Sequence, residues 1–90
     1  MKVVDLLKGV KYSTNVQDLN VDVEKLAIHT DDVEAGTTYF CLKGETFDGH
    51  DFAKVAIKKG ACCLVVDHFL QEDIPQIKVD DCRKCLALAS

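Results

Sequence analysis

Three groups of residues in this 90-residue chain are of types that could carry chemistry. The first is the run Gly44-Glu45-Thr46-Phe47-Asp48-Gly49-His50-Asp51-Phe52, which joins an apolar stretch to a helix-like one. Free N–H groups and the positive dipole end at a helix start can hold an anion. The run matches neither the dinucleotide nor the P-loop glycine pattern, and Asp48 and Asp51 can occupy the same N–H groups, so a plain helix cap explains it as well. The second group is Cys82-Arg83-Lys84-Cys85, a C-x-x-C where a helix begins, a place that lowers thiol pKa values and suits redox work. The plainer alternative is that both thiols pack on a sheet. The third is Asp31-Asp32 with Glu34, three carboxylates in one turn, which could take a divalent ion or be ordinary hydrated loop charge.

Other reactive types offer less. His29, His50 and His68 share no metal-ligand spacing and read as surface or loop-packing residues. Cys62 and Cys63 are neighbours in a strand pattern, where side chains alternate between faces, so they fill the core and do not pinch one metal. No nucleophile, base and orienting group are legible together, and no catalytic residue is expected.

The elements that must position these groups follow from periodicity. Val3 to Leu7 suggests a short helix ended by Gly9, and residues 11–22 read as loop with one short strand. Residues 23–30 alternate as a strand with Leu26 and Ile28 inward, Gly36 turns the chain, and residues 38–42 form a strand buried on both faces. Asp48 caps a helix over 49–59 with Phe52, Val55 and Ala56 on one face, Lys58 and Lys59 in its last turn, and Gly60 as the stop. Residues 61–66 form the next strand, which closes a right-handed βαβ unit. "QIKV" gives another strand, and Asp80 or Asp81 caps a last helix with Cys82, Cys85 and Leu86 toward the sheet.

The expected fold class is therefore α/β, a small, mainly parallel mixed sheet flanked by helices. Ligands of such sheets lie beyond the carboxyl ends of the strands. The loops after residues 23–30 and 38–42 leave those ends and would wall one crevice if the two strands are neighbours.

Composition narrows the partners. A net charge of −4 with scattered Lys and Arg argues against nucleic acid. There is no apolar run long enough for a membrane span and no signal-peptide pattern, and an odd count of 5 cysteines fits a reducing compartment, so a cytoplasmic location is expected. The apolar face of the last helix still runs at Ser90, which suggests the first part of a longer polypeptide.

The segments "DLLKG", "AIHTDDVEAGTTYFCLKG", "DGHDF", "AIKKGACCLVV" and "VDDCRKCLALA" together resemble the N-terminal domain of the Mur ligase family. They are most similar to the branch that adds the third amino acid to UDP-N-acetylmuramoyl-L-alanyl-D-glutamate; the next ligase of the pathway carries a similar pattern. The resemblance implies that residues 1–90 are the first of three domains, the one that holds the uridine nucleotide. The other domains would bind ATP with Mg2+ and the incoming amino acid, so this part binds and does not catalyse. It also implies nucleotide contacts at Ile28, Thr30, Glu45, Thr46 and Phe47. Where the family reads Asp-Ser-Arg or Asp-Thr-Arg, this chain has His29-Thr30-Asp31, an acid in place of a base. A carboxylate within about 6 Å of a phosphate would lower affinity by up to about a hundredfold, so weak binding, or a divergent module that has lost the nucleotide, is the alternative. Cys82 replaces a Ser or Thr, without expected consequence.

Overall fold

The computed structural model describes residues 5, 7, 9–15, 22, 24–43 and 48–89. The short helix expected near Val3 and the nucleotide contacts expected at Glu45, Thr46 and Phe47 lie outside the described residues.

The five strands are β1 (Tyr12–Thr14), β2 (Lys25–Ala27), β3 (Thr37–Phe40), β4 (Ala61–Val66) and β5 (Gln76–Val79). They form one sheet in the order β1-β5-β4-β3-β2, parallel except for β1, which runs antiparallel to β5. Among the described residues, the α-helices with given bounds are α1 (Ala53–Lys59) and α2 (Cys82–Ala89). The mainly parallel α/β fold is thus as expected, and β3, α1 and β4 make the βαβ unit. Among the described residues no helix is long and apolar enough to cross a membrane.

Burial on both faces explains why β3 and β4 read as continuous apolar runs. One face carries Phe40, Leu42, Cys63, Val65, Ile77 and Val79 and is covered by Cys82 and Cys85 of α2. The other carries Tyr39, Cys41, Leu64 and Val66 and is covered by Ala53 and Ala56 of α1. Each fully buried Val, Leu, Ile or Phe contributes about 1.5–3 kcal/mol, so these two layers hold most of the stability.

Two expectations about facing are corrected. The register of β3 against β4 shifts between Thr37, opposite Ala61, and Thr38, opposite Cys63. Cys62 is thereby skipped, and it packs against the same cluster as Cys63 and not on the opposite face. An extra residue in one strand reverses the alternation that follows it. In the helix, Gly49–Phe52 forms a 3-10 turn before α1. At three residues per turn the chain enters α1 rotated from the face a continuous α-helix would give. Ala53 and Ala56 therefore meet the sheet, while Phe52 and Val55 are each 43% exposed.

Turn chemistry sets the boundaries. Gly60 ends α1 at φ 115°, with Ala35 backbone atoms 2.8 Å from where its Cβ would stand. A side chain there would be both strained and blocked. Of the two aspartates offered as cap for α2, Asp81 does the work: its Oδ1 accepts from the Lys84 N–H at 3.1 Å.

Candidate functional site

Parallel neighbours β2 and β3 put their carboxyl ends side by side, and a crevice of about 260 Å³ opens there. Ile28, His29, Thr30 and Asp31 line it from the segment after β2, Tyr39 from β3, and Phe52 from the turn before α1. The alternation expected over 23–30 stops after Ala27, and Thr30–Asp32 winds into a 3-10 turn with extended His29 at its start. That turn brings Ile28 and Thr30 to one wall, so two of the five expected contact residues share a cavity.

The opposite wall is fixed by a set of short hydrogen bonds. Tyr39 donates its hydroxyl to the Gly49 carbonyl oxygen at 3.1 Å. The Gly49 N–H donates to the Leu42 carbonyl at 2.7 Å, and a Cβ on Gly49 would stand 2.8 Å from Leu42 backbone atoms. Only glycine lets the turn approach β3 this closely. Asp48 Oδ1 accepts from the His50 N–H at 3.0 Å and meets the His50 ring Nδ1 at 2.5 Å. Lys43 and Asp48 form an isolated antiparallel bridge. Burial raises the Tyr39 phenol to about 12, so the hydroxyl remains a neutral donor. Partial burial pushes the Asp48 carboxyl upward, but the hydrogen bonds from His50 outweigh it and hold the group below its usual range.

The charge around the crevice differs from the sequence expectation. Asp31 points outward with its side chain 98% exposed, and Lys59 lies 3.8 Å from its carboxylate. The same ammonium donates to the Thr30 carbonyl oxygen at 3.0 Å. A cation from the end of α1 therefore stands beside the acid.

The remaining candidates separate cleanly. Cys82 and Cys85 face the sheet and are buried. Burial, with Asp67 and other acidic neighbours adding to it, lifts the Cys82 thiol to about 12, and burial alone raises Cys85. Buried thiols with raised pKa values are the opposite of the exposed, low-pKa setting that redox cysteines need, which favours the packing role for both. As expected, His29 and His68 are exposed and His50 packs within a turn, where it is buried with its ring stacked on that of His68 at 4.5 Å. Its partner across the fold is Asp67, 17 residues away, a distance in sequence that no spacing rule covers. Phe52, exposed at the crevice, and Tyr39, which also lines it, were not among the expected contacts. An aromatic residue that remains apolar at the mouth of a turn, with alanines on the helix face behind it, is the signal that could have found Phe52.

A larger hollow of about 350 Å³ lies at the other edge of the sheet, between residues 9–11 and the start of α2. Its walls carry Asp80 and Asp81 and no aromatic ring, so it offers a planar ligand nothing to stack on.

The chain matches the Mur ligase family, catalytic domain, over residues 22–89. It is 42% identical over 87 residues to the UDP-N-acetylmuramoyl-L-alanyl-D-glutamate–2,6-diaminopimelate ligase of Clostridium perfringens, covering 94% of this chain and 18% of that protein. The enzyme of the same name from Geobacillus kaustophilus is 41% identical over 69 residues, 77% of this chain and 14% of that protein. Among solved structures, MurF from Acinetobacter baumannii superposes with a TM-score of 0.85 at 23% identity over 96% of this chain and 19% of that one. MurF ligase from Thermotoga maritima, solved with ADP, gives a TM-score of 0.64 at 26% identity over 72% of this chain and 15% of that one. The chain thus spans less than a fifth of the length of these curated relatives.

Proposed function

Because this chain belongs to the Mur ligase family, we propose that it is the uridine-nucleotide recognition domain of an ATP-dependent ligase that extends UDP-N-acetylmuramoyl-L-alanyl-D-glutamate by one amino acid. The observation that carries the reading is the crevice at the carboxyl ends of β2 and β3, walled by Ile28, Thr30, Tyr39 and Phe52. Its volume falls just below the roughly 300–1,000 Å³ of drug-sized pockets, room for one ring system and not for a whole muramyl dipeptide carrier. Uracil would lie between the apolar wall of Ile28 and the Phe52 ring, with Thr30 supplying a hydrogen-bonding edge and Lys59 a charge for the first phosphate. Glu45, Thr46 and Phe47, which the family resemblance also points to, complete the proposed contacts.

The bond-forming step belongs to the rest of the enzyme. Activation of the substrate carboxylate by ATP with Mg2+ needs a phosphate-cradling loop, and residues 22–89 contain no Gly-x-x-x-x-Gly-Lys-Ser/Thr sequence. This segment's part is to hold one end of the substrate while other domains in cis bring ATP and the amino acid. Confinement of a long substrate at its non-reacting end supports catalysis by orienting the distant carboxylate.

Titration of the 90-residue chain with UDP-N-acetylmuramoyl-L-alanyl-D-glutamate, followed by amide NMR, tests the proposal. Saturable shifts at Thr30, Thr46 and Phe52, reproduced by UDP and absent with ADP, are expected. Flat spectra at millimolar ligand would instead assign the chain to a divergent module that kept the fold without the nucleotide.

A further inference from the structure

At the carboxyl end of β4, on the same edge of the sheet as the crevice but outside its lining, three metal-binding side chains converge. His50, Asp67 and His68 present ligand atoms that all lie within 4.8 Å of one another. His50 is held almost without freedom, its side chain 3% exposed and its Nδ1 on the Asp48 carboxylate. That is the arrangement in which an imidazole, oriented by a carboxylate on one nitrogen, presents the other to a metal. The presented nitrogen, Nε2, lies 3.1 Å from Asp67 Oδ1, and the same oxygen meets Nδ1 of His68. A neutral imidazole lone pair and a carboxylate oxygen repel each other at that distance unless a proton or a cation lies between them. Nε2 also accepts from the Asp67 N–H at 3.1 Å, so two demands fall on one nitrogen.

The geometry points to a three-ligand site for a divalent transition-metal cation of the zinc class, formed by His50 Nε2, the Asp67 carboxylate and an imidazole nitrogen of His68. Two imidazoles with one carboxylate suit zinc, cobalt or nickel and are poor ligands for magnesium or calcium, which prefer oxygen alone. His50 and Asp67 supply fixed positions. His68 is 60% exposed and can swing its ring from the stacked position until its nitrogen reaches the roughly 2.0–2.2 Å that zinc requires. The remaining coordination position faces solvent and takes water. Binding replaces the Asp67 N–H contact on Nε2 by a metal bond and ties the end of β4 to the turn that opens α1. Because Tyr39 donates to Gly49 in that same turn, the ion stiffens one wall of the crevice without touching it. The site stands independently of the nucleotide reading, since none of its three ligands lines the crevice.

The test is calorimetric titration of the 90-residue chain with zinc alone, in a non-chelating buffer with a phosphine reductant, repeated with His68→Ala. One equivalent binding in the micromolar range is expected, with a rise in melting temperature and an affinity loss of at least about tenfold in His68→Ala, whose exposed side chain is not needed for folding. Substitution of zinc by cobalt should give visible ligand-field bands without the near-ultraviolet thiolate band. No heat at millimolar zinc, an unchanged affinity in His68→Ala, or a thiolate band that moves the ion to the cysteines would each overturn the proposal.

Discussion

Lys59 reaches from the last turn of α1 to the first turn after β2, where its ammonium donates to the Thr30 carbonyl oxygen at 3.0 Å and lies 3.8 Å from the Asp31 carboxylate. Two elements that are 29 residues apart are thereby joined at the mouth of the crevice. Lys59 favours the C-terminal end of α1 for a reason of its own, because a cation there complements the helix dipole. Its position also offsets the acid that stands where a base was expected.

Asp31→Asn should raise the affinity for UDP by less than about tenfold, because Lys59 already cancels much of the Asp31 field. Lys59→Met should lower it, most at low salt. Calorimetry at two salt concentrations measures both, and a gain near a hundredfold in Asp31→Asn would mean that Lys59 offsets nothing.

Phe52→Ala separates binding from folding. The ring is 43% exposed, so the change in unfolding free energy should remain within about 1 kcal/mol. Loss of base stacking, worth about 1–3 kcal/mol, should lower uridine-nucleotide affinity by roughly fivefold to a hundredfold. A melt and a titration on the same sample check the pair of outcomes.

Gly60→Ala should destabilise by at least about 2 kcal/mol, since it combines a left-handed φ with a backbone clash against Ala35. Gly49→Ala should cost a comparable amount for a different reason, the close passage of Leu42, and should also loosen the Tyr39 wall. Urea unfolding measures both, and nucleotide titration of Gly49→Ala reads the second effect.

Thiol labelling should be sharply unequal. Cys62 is the one cysteine not fully buried, and it should react first with a disulfide reagent. Cys41, Cys63, Cys82 and Cys85 should react only as the protein opens. Burial raises Cys63 and Cys82 to about 12, above the ordinary 9.0, so the folded state keeps protons that the unfolded chain loses. Stability should therefore decline as pH rises above about 9.

Asp48 sets the opposite limb. Its carboxyl is held below 3.8 in the folded state, so its contribution is complete above that value and is lost as pH falls through the folded value. Urea midpoints taken between about pH 5 and pH 2 should fall less steeply in Asp48→Asn than in the parent.

The sequence by itself determined the βαβ unit, the Asp48 cap, the stop at Gly60 and the two loops at the carboxyl ends of the sheet. Each is written in a window of a few residues: a continuous apolar run, a capping side chain, a glycine at a left-handed position. Ile28 and Thr30 could be placed at the crevice on that basis, together with the resemblance to the ligase family. The tertiary structure alone decided where the aromatic rings and the histidines lie. A 3-10 turn at Gly49–Phe52 turned Phe52 outward, and a register shift at Cys62 put two adjacent thiols against one cluster. His50 met Asp67 and His68 because β4 runs parallel beside β3, a contact set by strand order. Local patterns carry periods and caps; pairings made by folding distant segments together leave no period to read.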